Sequence, residues 1–157
     1  MLPFQMSDFP LISDSSFRLC RNADEQQRAL FVRGVVFCAE QGIAYPMEYD
    51  GLDSEALQIL GEVADEPVAA GRIRFSAACA KLERIAVRAP WRGRRIGHQL
   101  TDFMIRVAEA EGFAVQKIHA QKHLERFYGL HGFHSQGESF EEAGIEHIMM
   151  LRVSPSV

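Results

Sequence analysis

The chain has 157 residues, 47% of them apolar and 24% charged, which is the balance of one globular domain. Lys and Arg total 17 against 21 Asp and Glu, and a formal charge of −4 argues against nucleic acid as a partner, since that affinity rests on neutralising phosphates. Three scattered cysteines without a CxxC pair argue against a disulfide framework or a cysteine zinc site, and no apolar run reaches the ~18 residues of a membrane span.

Residues 1–15, with Pro3, Pro10 and several Ser and Asp, read as an arm ahead of a single domain over 16–157. The arm lacks the basic start and unbroken apolar run of a signal peptide, so the expected location is the cytoplasm. Alternation over Phe17–Cys20 predicts a first strand. Asn22, with Glu25 three residues later, predicts a helix start resembling a capping box. Leu30, Arg33, Phe37 and Gln41 continue that helix at regular spacing, with Gly42 as its stop. Residues Ile43 to Asp53 contain Pro46 and several acids and read as an irregular loop. Leu57–Val63 and Val68–Phe75 flank Asp65-Glu66-Pro67 and read as a hairpin. Lys81–Arg88 is a third strand of this group.

The period changes at Arg92. Ile96, Leu100, Phe103, Met104, Val107 and Ala108 mark one face of a long helix ending near Gly112. Val115–Gln121 returns to strand, and His123–Leu130 predicts a short helix. The chain from Phe133 is extended again, with turns at Gly137 and Gly144 and a last strand over Ile145–Val153. This order predicts a mixed α/β domain with one central sheet and helices on its faces.

The most informative stretch runs from Leu82 to Gly97. A β-branched strand meets a short loop, Arg92-Gly93-Arg94-Arg95, and a helix begins at once. Unpaired N–H groups and the dipole at a helix start favour an anion there. Gly93 and Gly97 permit close approach, and three arginines add positive charge in an acidic chain. Together these features describe a pyrophosphate cradle. The other reading is a basic surface loop with an ordinary cap. A Walker loop and a dinucleotide fingerprint both lack their required residues.

Arg92-Gly93-Arg94-Arg95-Ile96-Gly97 resembles the Q/R-x-x-G-x-G/A signature of the GNAT superfamily of N-acetyltransferases. It departs at Arg95, where that family usually has glycine, and a left-handed backbone there would be strained. Phe127-Tyr128-Gly129-Leu130-His131-Gly132-Phe133 is similar to the family's FYxxxGF segment. Arg33-x-x-Val36-Phe37-x-x-Glu40-Gln41, with Glu48-x-Asp50-x-x-Asp53 and Gly144-Ile145-Glu146-His147, resembles the ElaA/YjcF-like branch. Acyl-homoserine-lactone synthases share a related arrangement, but the Glu40-Gln41 pair favours the acetyltransferases.

The resemblance implies a mostly antiparallel twisted sheet with helices on both faces and acetyl-coenzyme A as co-substrate. Arg92, Gly93, Arg94, Arg95, Ile96 and Gly97 would hold its pyrophosphate. Ile85, Ala86 and Val87 would pair with its pantetheine arm, and Gln121 and Tyr128 would complete the cofactor site. No metal is expected.

Acetyl transfer to an amine makes definite demands. An alkyl ammonium has a pKa of about 10.4, and holding it neutral at pH 7 costs roughly 4–5 kcal/mol. The leaving thiolate, with a reference pKa of about 8.5, gains from a proton donor. By resemblance Tyr128 is that donor; the other reading is a core aromatic at the end of a helix. Glu83 is the first candidate base, with a salt bridge on a sheet face as its alternative. Simple alternation puts Glu83 on the face of Ile85 and Val87, but the resemblance implies a bulge there, which would change that facing. His119, sharing a strand face with Gln121, is the second candidate base, with a structural or surface histidine as its other reading. Arg33, Glu40, Glu48 and Asp50, with Asp53, are candidates for holding a small-molecule or protein amine, or for pairing among themselves. A homodimer through an edge-lying final strand is a further expectation. The expected activity is acetyl transfer to a primary amine by direct attack; the alternatives are a homoserine-lactone-synthase-like acyltransferase and a non-catalytic acetyl-CoA sensor.

Overall fold

In the computed structural model, which describes residues 15–155, seven strands form one sheet in the order β1-β2-β3-β4-β5-β7-β6. They are β1 (Ser15–Leu19), β2 (Leu57–Val63), β3 (Glu66–Phe75), β4 (Ala80–Val87), β5 (Val115–Gln121), β6 (His134–Glu142) and β7 (Ile145–Val153). Only the β4–β5 pair is parallel. The mixed, mostly antiparallel sheet with helices on both faces is therefore the fold this chain adopts. Of the expected arm, residues 1–14 lie outside the described residues, and Ser15 belongs to β1. The final strand is not an edge: β7 lies between β5 and β6, and among the described residues the sheet ends in β1 and β6.

Helix α1 (Ala23–Arg33) starts where expected, with the Asn22 side chain accepting the Glu25 N–H at 2.9 Å. Its regular turns end at Arg33, earlier than the hydrophobic spacing predicts, and Gly34–Glu40 continues as a wider π-helical turn. Gly34 has a packing reason: a Cβ there would lie 2.8 Å from the Tyr49 hydroxyl, which donates to the Leu30 carbonyl at 2.9 Å. The stretch read as an irregular loop holds a short helix, α2 (Tyr45–Glu48), with Pro46 in its first turn, where no N–H is needed.

The β2–β3 turn is Ala64-Asp65, both at positive φ, the twist-matched geometry of a two-residue hairpin. Strand β3 consequently starts at Glu66, two residues before the expected Val68. Helix α3 (Ile96–Ala110) covers one sheet face, packing Leu100 and Met104 on Ile59, Ala69, Ile73 and Leu82. The alternate residues Leu60, Ala70 and Ala86 face Ala29 and Val32 of α1 on the other. The expected single helix after β5 is instead a 3-10 turn, Lys122–Leu124, followed by α4 (Glu125–Gly129).

Candidate functional site

Two irregularities of β4 make the site. First, β4 and β5 are bonded only at Ala80↔Gln116 and Lys81↔Lys117; beyond Lys81 they diverge. The backbone of Ile85, Ala86 and Val87 thus has no strand partner on its β5 side. Second, β4 bulges. Ala70 pairs with Ala86 and Arg72 with Glu83, so Gly71 alone opposes both Arg84 and Ile85. Arg84 absorbs the extra residue at φ 57°. The bulge corrects the facing expected from simple alternation. Glu83 shares the α1 face with Arg72 and Ala86, not the face of Val87.

The divergence opens a cleft of about 820 Å³ between β4, β5, the π-helical turn and the start of α3. Ile85, Ala86 and Val87 line it, as do Arg92, Gly93, Arg95, Ile96 and Gly97. Arg94 is exposed and stays outside its lining. Gly93 lies at φ 73° with open space where a Cβ would be, and Arg95 takes the strained left-handed conformation at φ 68°. Arg95 directly precedes α3, and no side chain among the described residues caps that helix. Arg92 is held by the Val87 carbonyl at 2.9 Å and by both oxygens of Glu40, the farther at 3.0 Å. Glu40 thus faces the anion loop through Arg92.

Tyr128, 5% exposed, lies at the cleft with its ring edge-on to Phe127 and Phe133. Burial pushes its phenol above the ordinary tyrosine value, which keeps it protonated. Gln121 also lines the cleft, where its amide donates to the Gln41 side chain at 2.9 Å.

The expected substrate acids instead surround buried arginines. Arg33 is wholly buried and does not line the cleft; its guanidinium pairs with Glu48 at 2.7 Å and Asp53 at 2.6 Å. That overturns its reading as a substrate contact in favour of the pairing alternative. Arg72, also fully buried, joins Asp50 at 2.9 Å, Asp53 at 3.1 Å and Glu83. Arg84 closes the group on Glu48 at 2.9 Å and Asp50 at 3.3 Å. Glu48 and Asp50 line the cleft, but as partners of these arginines. The Arg72 bond holds the Asp50 carboxyl below the usual range, whereas burial pushes Glu48 up despite Arg33 and Arg84.

Glu83 is enclosed by Arg72, by Arg74 at 3.0 Å and by Lys81 at 3.4 Å. Burial raises its carboxyl, but the Arg74 bond and the charges of Arg72 and Lys81 outweigh this and leave it below the ordinary value. That environment disfavours Glu83 as a proton acceptor. His119 lines the cleft from β5, with Nδ1 3.3 Å from Glu142 Oε1. Glu142 and His147, which also line it, were not singled out as site residues by sequence reasoning, nor were Arg74 and Lys81. Each becomes visible only through strand register. No cluster of three or more His, Cys, Asp or Glu among the described residues is placed to hold a metal ion, and no described helix is long and apolar enough to cross a membrane.

Comparison with known proteins agrees with this geometry. A family model described as "Acetyltransferase (GNAT) domain" matches residues 37–153. The uncharacterized N-acetyltransferase YjcF of Bacillus subtilis is 31% identical over 135 residues, covering 85% of this chain and 96% of that protein. ElaA of Escherichia coli is 33% identical over 129 residues, covering 78% of this chain and 84% of its own. The crystal structure of Escherichia coli ElaA superposes with a TM-score of 0.77 at 28% identity, covering 88% of this chain and 99% of that one. An acyl-CoA N-acyltransferase from Pseudomonas aeruginosa superposes with a TM-score of 0.79 at 27% identity, covering 89% and 99%.

Proposed function

Because this chain belongs to the GNAT acetyltransferase family, we propose that it moves the acetyl group of acetyl-coenzyme A to a primary amine by direct attack, both substrates being bound together. The observation that carries this reading is the divergence of β4 and β5 beside an uncapped, arginine-rich helix start. The free backbone edge at Ile85–Val87 suits the amides of a pantetheine arm. The N–H groups of the loop and first turn, with Arg92, suit a pyrophosphate. Gly93 leaves room for that approach.

In this reading Tyr128 donates a proton to the departing sulfur. Its burial keeps the phenol intact until negative charge develops nearby. Gln121 meets the cofactor arm from the β5 side. Glu83 stays ionised among its cations and keeps the inner end of the cleft polar. The acceptor enters from the side lined by Glu48, Asp50, Arg84 and His119, where mixed charge suits a small polar amine or a lysine side chain.

Thiol release from acetyl-CoA, measured against a panel of small and peptide amines, tests the reading. Tyr128→Phe is expected to lower kcat by a factor of about 10²–10⁴ while acetyl-CoA binding persists. Full turnover in that variant would remove the proposed acid. Binding without turnover of any amine by the wild type would favour the sensor module instead.

A further inference from the structure

We infer that the proton acceptor of this site is the His119 imidazole, oriented by Glu142; the inference deepens the acetyltransferase reading and rests on it. Position comes first. Lys81↔Lys117 is the last bonded rung of the parallel pair, so Glu83 and His119 each stand two residues beyond it on opposite walls of the cleft. Both walls therefore offer a titratable group at equal distance from the apex. The wall of β4 offers a carboxylate already engaged by Arg72, Arg74 and Lys81.

The wall of β5 is built differently. His119 pairs with Met149, Gln121 with His147, and Phe140 with His147, which puts His119, Phe140 and His147 on one sheet face. Glu142, two residues after Phe140, shares that face. Its Oε1 accepts from His119 Nδ1 at 3.3 Å, and its Oε2 lies 3.8 Å from His147 Nε2. A carboxylate can only accept, so the pair fixes the proton of neutral His119 on Nδ1. Nε2 is left as a lone-pair acceptor, with no hydrogen-bond partner among the described residues. Phe140 meets the ring edge-on at 5.1 Å and limits its tilt. His147 is itself fixed by donating Nδ1–H to the Ile145 carbonyl at 2.7 Å.

The charged and titratable groups around His119 are Glu142 on β6, His147 on β7, and Lys81 and Glu83 on β4. Lys81 acts on both carboxylates, Glu83 and Glu142. Glu142 thus orients the His119 ring through Nδ1, as the third group of a nucleophile–base pair does.

The proton balance closes. The acceptor ammonium gives one proton to His119 Nε2, and its freed lone pair forms the C–N bond at the thioester carbonyl. As the C–S bond breaks, the sulfur takes the bonding pair and a proton from Tyr128. The nitrogen's surplus proton restores the Tyr128 phenol, and the His119 imidazolium releases its own to solvent. The products are the amide, coenzyme A and one proton.

The test uses the full chain, acetyl-CoA and the amine panel, with calorimetric acetyl-CoA binding as the control for folding. The wild type is expected to show a kcat/KM that rises with pH through an acidic limb. His119→Gln should bind acetyl-CoA like the wild type, lose at least a hundredfold in kcat and lose that limb. His119→Ala should recover turnover on adding imidazole. Glu142→Gln should lower kcat while leaving the KM for acetyl-CoA unchanged, because an amide can donate as well as accept and no longer fixes the Nδ1 proton. Wild-type kcat with the acidic limb intact in His119→Gln overturns the inference while leaving the acetyltransferase reading standing. Wild-type kcat in Glu142→Gln overturns the role of Glu142. A wild type that binds no acetyl-CoA overturns both readings together.

Discussion

Glu83 and His119 occupy matching positions on the two walls of the cleft, each two residues past the Lys81↔Lys117 rung, yet their surroundings are opposite. Three cations hold Glu83. One carboxylate holds His119 by Nδ1 alone. Strand divergence creates the opening, and the two walls differ in the charge that surrounds their titratable groups.

The buried arginines are structural first. Arg72→Met would leave Asp50, Asp53 and Glu83 with fewer counter-charges in a site where Arg72 is wholly buried. A loss of about 3–5 kcal/mol in unfolding free energy is expected from urea titration, since breaking a buried pair strands its partners. A loss under about 1 kcal/mol would show that the group tolerates rearrangement.

Acid should destabilise the fold in two stages. Burial, with the charges of His98 and Arg152, lowers His131 to about 4. A depressed imidazole stabilises fully above its unfolded value of about 6.5, and that contribution is lost as pH falls toward 4. Asp50, Asp53 and Glu83 are also held low, so their contribution persists above about 4 and fades only below it. Glu48 has the opposite sign: its raised carboxyl takes up a proton above the unfolded value of about 4.3, so it offsets part of the first stage. Unfolding free energy measured from pH 8 to 3 should therefore slope first between 6.5 and 4, and His131→Asn should flatten that segment.

Arg95 holds a left-handed backbone at φ 68° without a glycine's freedom. Replacement by glycine relieves a strain of about 1 kcal/mol but adds a similar freedom to the unfolded chain. Arg95→Gly is expected to change stability by less than ~1 kcal/mol, whereas Arg95→Val should lose more than that. Thermal melts of the two variants separate the cases.

Glu40 competes with an anion for Arg92, since it holds both guanidinium nitrogens that a pyrophosphate would use. Both side chains are partly exposed, so the pair contributes no more than about 1 kcal/mol. Glu40→Gln should tighten acetyl-CoA binding by a factor of about 2–5 in calorimetry, with the gain shrinking at high salt.

The architecture was legible in the sequence because its signals are local. Asn22 caps α1, the turn cluster Asp65-Glu66-Pro67 separates β2 from β3, and the spacing from Ile96 to Ala108 marks α3. The loop from Arg92 to Arg95 ahead of α3 was legible for the same reason, being one continuous segment. The charged interior was not. Arg72 sits in the middle of an apolar strand, and nothing near it in sequence announces that Asp50, Asp53 and Glu83 converge there. The bulge at Arg84 moves Glu83 to the other sheet face, which alternation misassigns. Glu142 meets His119 only through the β5–β7–β6 register, a relationship across 23 residues that no local pattern encodes.

The central claim is that the diverging strands and the arginine-rich helix start hold acetyl-coenzyme A. Calorimetric titration of the wild type and Arg92→Ala with acetyl-CoA tests it most directly. The account predicts binding of one acetyl-CoA per chain, weakened about tenfold or more in Arg92→Ala and weakened further by salt. A folded wild type that takes up no acetyl-CoA, or an Arg92→Ala variant that binds it equally well at every ionic strength, would contradict that claim.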